Sequence, residues 1–156
     1  MKKPLTIMVA LVALLLGSLN ASPAEQRIKA QRQKVEGFIA AAKGGERIEA
    51  NEILEALDSA AHALDSAEFA LTIRMQTATP AHGALAEMQV ESCIKQFARH
   101  QSSMRFLAEL SPSPKVRAMA LGGLEMLTAV ANAMRQELRR ASAMPYRKAP
   151  AARETL

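Results

Sequence analysis

Residues 46–77, ERIEANEILEALDSAAHALDSAEFALTIRMQT, decide the fold. Within them Ile53, Leu57, Ala60, Leu64, Ala67, Leu71 and Met75 recur at spacings of 4, 3, 4, 3, 4 and 4. That period draws one apolar stripe along an α-helix packed against near-parallel neighbours. Glu46 and Glu49 occupy the first turn, where carboxylates meet the positive end of the helix dipole.

The same logic extends in both directions. Upstream, Ile28, Val35, Phe38, Ile39 and Ala42 mark a shorter helix from about residue 24 to 42, with Gln31 interrupting its stripe and Gly44-Gly45 stopping it. Downstream, Thr79-Pro80-Ala81-His82-Gly83 reads as a turn. A third helix follows to about Leu110, with Val90, Cys93, Phe97, His100, Met104 and Leu107 spaced 3, 4, 3, 4 and 3. Ser111-Pro112-Ser113-Pro114 breaks the chain, and Ser113 as N-cap before Pro114 starts a fourth helix to about Ala143. Its inward row is Val116, Ala120, Gly123, Leu127, Val130, Met134 and Leu138. Few segments alternate with period two, so little is available to build a sheet. Helices of about 30 residues joined by short turns must reverse direction at each turn. The expected fold is all-α: an up-down antiparallel bundle of three long helices plus the shorter N-terminal one, together spanning residues 22–144.

The chain begins Met1-Lys2-Lys3, followed by the apolar run Leu5–Leu16 and then Gly17, Ser18 and Ala21. This three-part layout predicts a secretory signal peptide over residues 1–21 and a periplasmic or secreted destination. Cleavage is expected after Ala21, with Leu19 at −3, or after Ala24, with Ser22 at −3. No cysteine follows either site, so lipid attachment to a new N-terminal Cys is not expected. Residues 4–24 carry no charge, so an uncleaved leader would tether the bundle to the membrane.

Without the leader 135 residues remain, the size of one domain. Cys93 is the single cysteine, so internal disulfides play no part and packing must hold the fold. Charge is segregated along the chain. Residues 22–45 hold five basic and two acidic side chains, residues 46–91 two basic and nine acidic, and residues 92–156 eleven basic and four acidic. The acidic second helix is expected to pair with basic neighbours, each exposed pair contributing tenths of a kcal/mol. Residues 145–156 read as a basic, flexible tail.

Several constellations bear on function. Cys93, His100 and Met104 share one seam, and thiolate, imidazole and thioether together suit Cu(I). Core packing competes with that reading, because methionines at helical spacing fill gaps in alanine-rich interiors. Asp58 and His62, flanked by Glu55 and Asp65, form an outward row with the spacing of a zinc pair, or simply a solvated face. Arg74, Arg99 and Arg105 beside Glu52 or Gln96 are the residues from which a motif-free helical active site would have to come. Nucleophile elbows, zinc-protease motifs, phosphate loops, dinucleotide fingerprints and the Cys-x-x-Cys-His of covalent haem are all absent from the sequence. Gly122-Gly123 in the middle of the fourth helix, with Ala118, opens a small-residue face for close approach by a neighbour, with a kink or partner groove as the alternatives.

Arg135, Arg139 and Arg140, then Arg147, Lys148 and Arg153, concentrate positive charge toward the C-terminus. The helix dipole accounts for cations in a last turn but not for those beyond it. These residues are the expected contact for a protein partner or an anionic cell-envelope component. Nucleic acid is not expected as a partner, because no aromatics interleave the charges. The sequence thus predicts an exported binding or accessory protein. Copper binding through Cys93, His100 and Met104 is the first alternative, and a small helical enzyme the second.

Overall fold

A computed structural model of the chain describes residues 21–147. The leader, apart from Ala21, lies outside the described residues, as do Lys148 and Arg153. Four helices follow one another: α1 (Pro23–Ala41), α2 (Gly44–Gln76), α3 (Pro80–Leu110) and α4 (Pro114–Ala143). No strand occurs among the described residues.

Their ends are set by local chemistry. Ser22 Oγ accepts from the Glu25 amide at 3.1 Å to cap α1, and Ser113 Oγ accepts from the Val116 amide to cap α4. Prolines at the first position open α1, α3 and α4 with φ already helical. The turn expected over Thr79–Gly83 is therefore shorter than its composition suggests. Pro80 starts α3 at once, and Ala81, His82 and Gly83 form its first turn. Gly44 has a φ of +56°, which glycine adopts without strain, so α2 starts only two residues after α1 ends.

The four helices pack into a bundle in which α2 and α4 each meet all three others, and α2 packs most extensively on α3. Its inward row is rich in alanine: Ala50, Ala60 and Ala67 are fully buried between the larger Ile53, Leu57 and Leu64. Small side chains let neighbouring backbones approach closely, and Phe97, Met104, Val130 and Leu127 fill the remaining space. Each fully buried Leu or Phe contributes about 2 kcal/mol. The helix α1 covers the side formed by α2 and α4 and does not pack on α3.

Three positions depart from the expected stripes. Gln31 does not interrupt the α1 face. It is buried and donates from Nε2 to the Met119 carbonyl of α4 at 3.1 Å. Gly122 makes room for that amide, since a Cβ there would lie 3.2 Å from Gln31 Nε2. Gly123 does the same for the Met104 sulfur, at 3.1 Å. The glycine pair thus accommodates two neighbouring helices of the same bundle, through side chains rather than through backbone approach.

Met75, expected inward, is exposed, and Arg74 takes the interior position in its place. The stripe spacing of four at its end overshoots the helix period, so the face rotates by one residue. Arg74 is only 3% exposed, and its guanidinium is held from Nε and Nη2. Its Nε donates to Glu87 Oε1 of α3 at 2.5 Å, and Nη2 donates to the Ser142 and Met144 carbonyls at 3.3 and 3.1 Å. Its carbon lies 4.3 Å above the ring of Tyr146. Gly83 is the floor beneath that ring, because a Cβ there would collide with it. The Arg147 amide then donates to the Thr77 carbonyl at 3.2 Å. Tyr146 and Arg147, assigned from sequence to the tail, are therefore fastened to the bundle.

A second polar cluster closes the other end. Ser111 Oγ donates to Glu49 Oε2 and Ser113 Oγ to Glu46 Oε1, both at 2.6 Å. The Arg117 guanidinium donates to the Ser111 carbonyl at 2.7 Å. The carboxylates at the start of α2 thus hold the turn between α3 and α4 in addition to meeting the helix dipole. Among the described residues, Asp58 is the one acidic side chain of α2 that forms an ion pair, with Arg32 at 2.5 Å. Cross-bundle charge pairing along α2 is accordingly sparser than expected.

Replacing Arg74 by Leu removes the partner of Glu87 and orphans two carbonyls. The substitution is expected to lower stability by about 3 kcal/mol, and Tyr146→Ala by about 1 kcal/mol. Urea unfolding followed by far-UV circular dichroism measures both, and an unchanged midpoint for Arg74→Leu would remove that residue as the clasp.

Candidate functional site

A stripe of cations emerges where α3 lies beside α4. Arg135 and Arg139 stand four residues apart on α4 and share one face of it. Across from them α3 contributes Lys95, and Ile94 and Leu138 form an apolar floor between the two helices. Together with Glu91 these residues line an open cleft of about 270 Å³. Among the described residues the ion pairs are Arg32 with Glu36 and Asp58, Arg74 with Glu87, and Arg140 with Glu137. The three cleft cations belong to none of them. Arg135 donates to Asn132 Oδ1 at 2.9 Å, a bond that steadies the side chain without neutralising it.

The other sequence-predicted cations separate from this pair. Arg140 turns to Glu137 on its own helix at 2.7 Å. Arg147 sits at the Arg74 end through its backbone bond to Thr77. Lys95, conversely, has no basic neighbour within three residues in the sequence. Counting equal distances back from Pro112 sets it opposite Ala129, roughly two turns short of the arginines. A stagger between α3 and α4, visible in the Gln101–Thr128 bond at 3.2 Å, moves Lys95 into register with them.

The Cys93, His100 and Met104 seam is oriented inward as its spacing predicts, with Cys93 and Met104 buried and His100 half-buried. The three do not converge. Seven residues of helix separate Cys93 from His100 by about 10 Å along the axis, and eleven separate Cys93 from Met104 by about 16 Å. Each side chain has its own surroundings. Gln89 Nε2 approaches the Cys93 sulfur at 3.9 Å, His100 Nε2 meets Ser59 Oγ at 2.9 Å, and Met104 lies against Gly123. Among the described residues no three His, Cys, Asp or Glu side chains are grouped to hold a metal ion. Asp58 is turned to Arg32 while His62 is exposed. Arg74 is enclosed in its clasp, whereas Arg99 and Arg105 stand exposed on α3.

Two further grooves flank α3 on its α2 side. One, of about 510 Å³, is apolar and passes between Phe69 and Ile73 of α2 and Leu85 of α3. The other, of about 430 Å³, is polar, with Glu52, Glu55, Ser59 and His100 along it. Composition did not single out the first, because Phe69 and Leu85 fall outside the inward stripes and are scattered in sequence.

No protein-family model matches the chain, and no curated protein or solved structure matches it either.

Burial, reinforced by the charge of Arg99, holds the His100 pKa below its ordinary value. The unfolded chain therefore takes up this proton first as pH falls. The resulting stability is fully present above about pH 6.5 and declines below it, until the folded imidazole is itself protonated. His100→Gln is expected to flatten that decline, read from unfolding midpoints between about pH 7.5 and 5. Burial pushes the Cys93 thiol upward, so it stays protonated at neutral pH. A thiol-specific disulfide reagent is expected to modify Cys93 only once denaturant has opened the bundle.

Proposed function

We propose that this chain is an exported helical-bundle binding protein that engages an anionic component of the cell envelope through the cleft between α3 and α4. The observation carrying this reading is the convergence of Lys95 with Arg135 and Arg139 on an apolar floor, with none of the three ion-paired among the described residues. Guanidinium groups match phosphate and carboxylate oxygens in paired hydrogen bonds, and two arginines one turn apart reach successive anions along a polymer or surface. Ile94 and Leu138 lower the local polarity, which strengthens each contact. An open cleft suits an extended ligand better than a small one that must be enclosed. The leader-like start of the chain supports export. The two polar clusters support an up-down antiparallel course: one joins the end of α2, the start of α3 and the end of α4, and the other joins the three opposite ends.

The probe for this reading is soluble polyphosphate, titrated into the purified protein. Lys95→Glu with Arg135→Glu and Arg139→Glu is expected to weaken binding at least tenfold while helical content stays constant, since all three side chains are exposed. Deletion of residues 148–156 is expected to weaken it less. Undiminished binding by the triple variant, with loss on deletion, would move the site from the cleft to the tail. Intact mass of the protein from a periplasmic fraction tests export: cleavage after Ala21 or Ala24 is expected, and a retained leader would replace a free protein by a tethered one.

A further inference from the structure

The helix α3 carries two seams. The inner one packs in the core; the outer one is Leu85, Met88, Ser92, Lys95, Arg99, Phe106 and Leu110, spaced 3, 4, 3, 4, 7 and 4. Such spacing keeps all seven on one side of a helix, along about 37 Å. Every one of them is exposed, and the four large apolar side chains lie 61–64% open to solvent. The stripe is apolar at both ends and cationic in the middle. Phe69 of α2, 68% exposed, widens it at the Leu85 end, and the cleft cations Arg135 and Arg139 widen its centre. Because α1 packs on α2 and α4 but not on α3, nothing among the described residues covers this face.

We infer that this outer face of α3 is a docking surface for an anionic lipid bilayer, with Leu85, Met88, Phe69, Phe106 and Leu110 entering the interface and Lys95, Arg99, Arg135 and Arg139 meeting lipid phosphates. The inference rests on the cleft reading above and names its partner. Charge selects this occupant. Laid against a second copy in either direction about its centre, the stripe sets Lys95 and Arg99 against the same two cations, and like charges directly opposed repel. A negative surface neutralises all four at once. The exposed apolar side chains come from two helices, Phe69 from α2 and the others from α3, and a bilayer interface receives them together. Interfacial helices bind in this manner, with apolar side chains at the acyl boundary and cations at the headgroups. The cleft also contains Glu91, which tempers the field without reversing its sign.

Co-sedimentation with vesicles tests the inference. The purified protein is expected to bind vesicles of equal phosphatidylglycerol and phosphatidylcholine at least tenfold more tightly than pure phosphatidylcholine, and to lose that preference in about 0.5 M salt, where screening is short-ranged. Met88→Ser with Phe106→Ser, at exposed positions that leave the core intact, should weaken vesicle binding about tenfold while polyphosphate binding is unchanged. Equal vesicle binding by this variant, or equal binding to both lipid compositions, would overturn bilayer docking and leave the cleft reading standing. Loss of both polyphosphate and vesicle binding in the wild type would overturn both. A wild-type dimer in sedimentation equilibrium that the same double substitution dissociates would assign the face to a second copy instead.

Discussion

Three helices must approach α2 closely, and the alanine row along its interior makes that possible. Ala50, Ala60 and Ala67 are fully buried among Ile53, Leu57 and Leu64. An alanine contributes little apolar area of its own but costs almost no side-chain entropy on burial. It also shortens the distance at which a neighbouring backbone can settle, so larger residues such as Phe97 and Leu127 complete a dense interior. Gly122 and Gly123 extend the principle to α4, where each vacant Cβ position is taken up by a side chain from another helix. With one cysteine and a single tyrosine as its only large polar aromatic, the chain relies on this closeness of fit rather than on disulfides or a few dominant anchors.

Apolar packing of this kind leaves helices free to slide, because one alanine turn resembles the next. The polar clusters at the two ends remove that freedom. At one end Arg74 joins Glu87, two carbonyls of α4 and the Tyr146 ring; at the other, Glu46 and Glu49 hold the serines between α3 and α4. A buried guanidinium left unpaired would cost several kcal/mol, so a one-turn slip is penalised far more by these contacts than by the core. Polar groups thus supply the register that the alanine-rich interior cannot.

Register in turn builds the candidate site. The stagger between α3 and α4 brings Lys95 beside Arg135 and Arg139, and the placement of α1 over α2 and α4 leaves α3 with its outer stripe open. The sequence shows a basic C-terminal region but distributes its charges differently from the folded chain. Arg140 is taken up by Glu137, and Arg147 follows Tyr146 to the Arg74 end. The seam of Cys93, His100 and Met104 makes a related point: shared orientation on a helix is legible from spacing, whereas residues seven and eleven positions apart on one helix lie too far along its axis to meet at one point.

What the sequence by itself determined is local and periodic. The number of helices, their lengths to within a few residues, their inward stripes and the prolines and serines that begin them all follow from the 3.6-residue repeat and from backbone chemistry at each terminus. The departures were the ends of stripes, as at Met75 and Arg74, and polar residues such as Gln31 whose burial depends on a partner far along the chain. Only the tertiary structure decided which cations share a cleft, which arginine is buried and which face of α3 remains open. Those outcomes depend on the stagger and rotation of one helix against another. They arise from contacts between residues as far apart as Gln31 and Met119, and no spacing within a single helix records them.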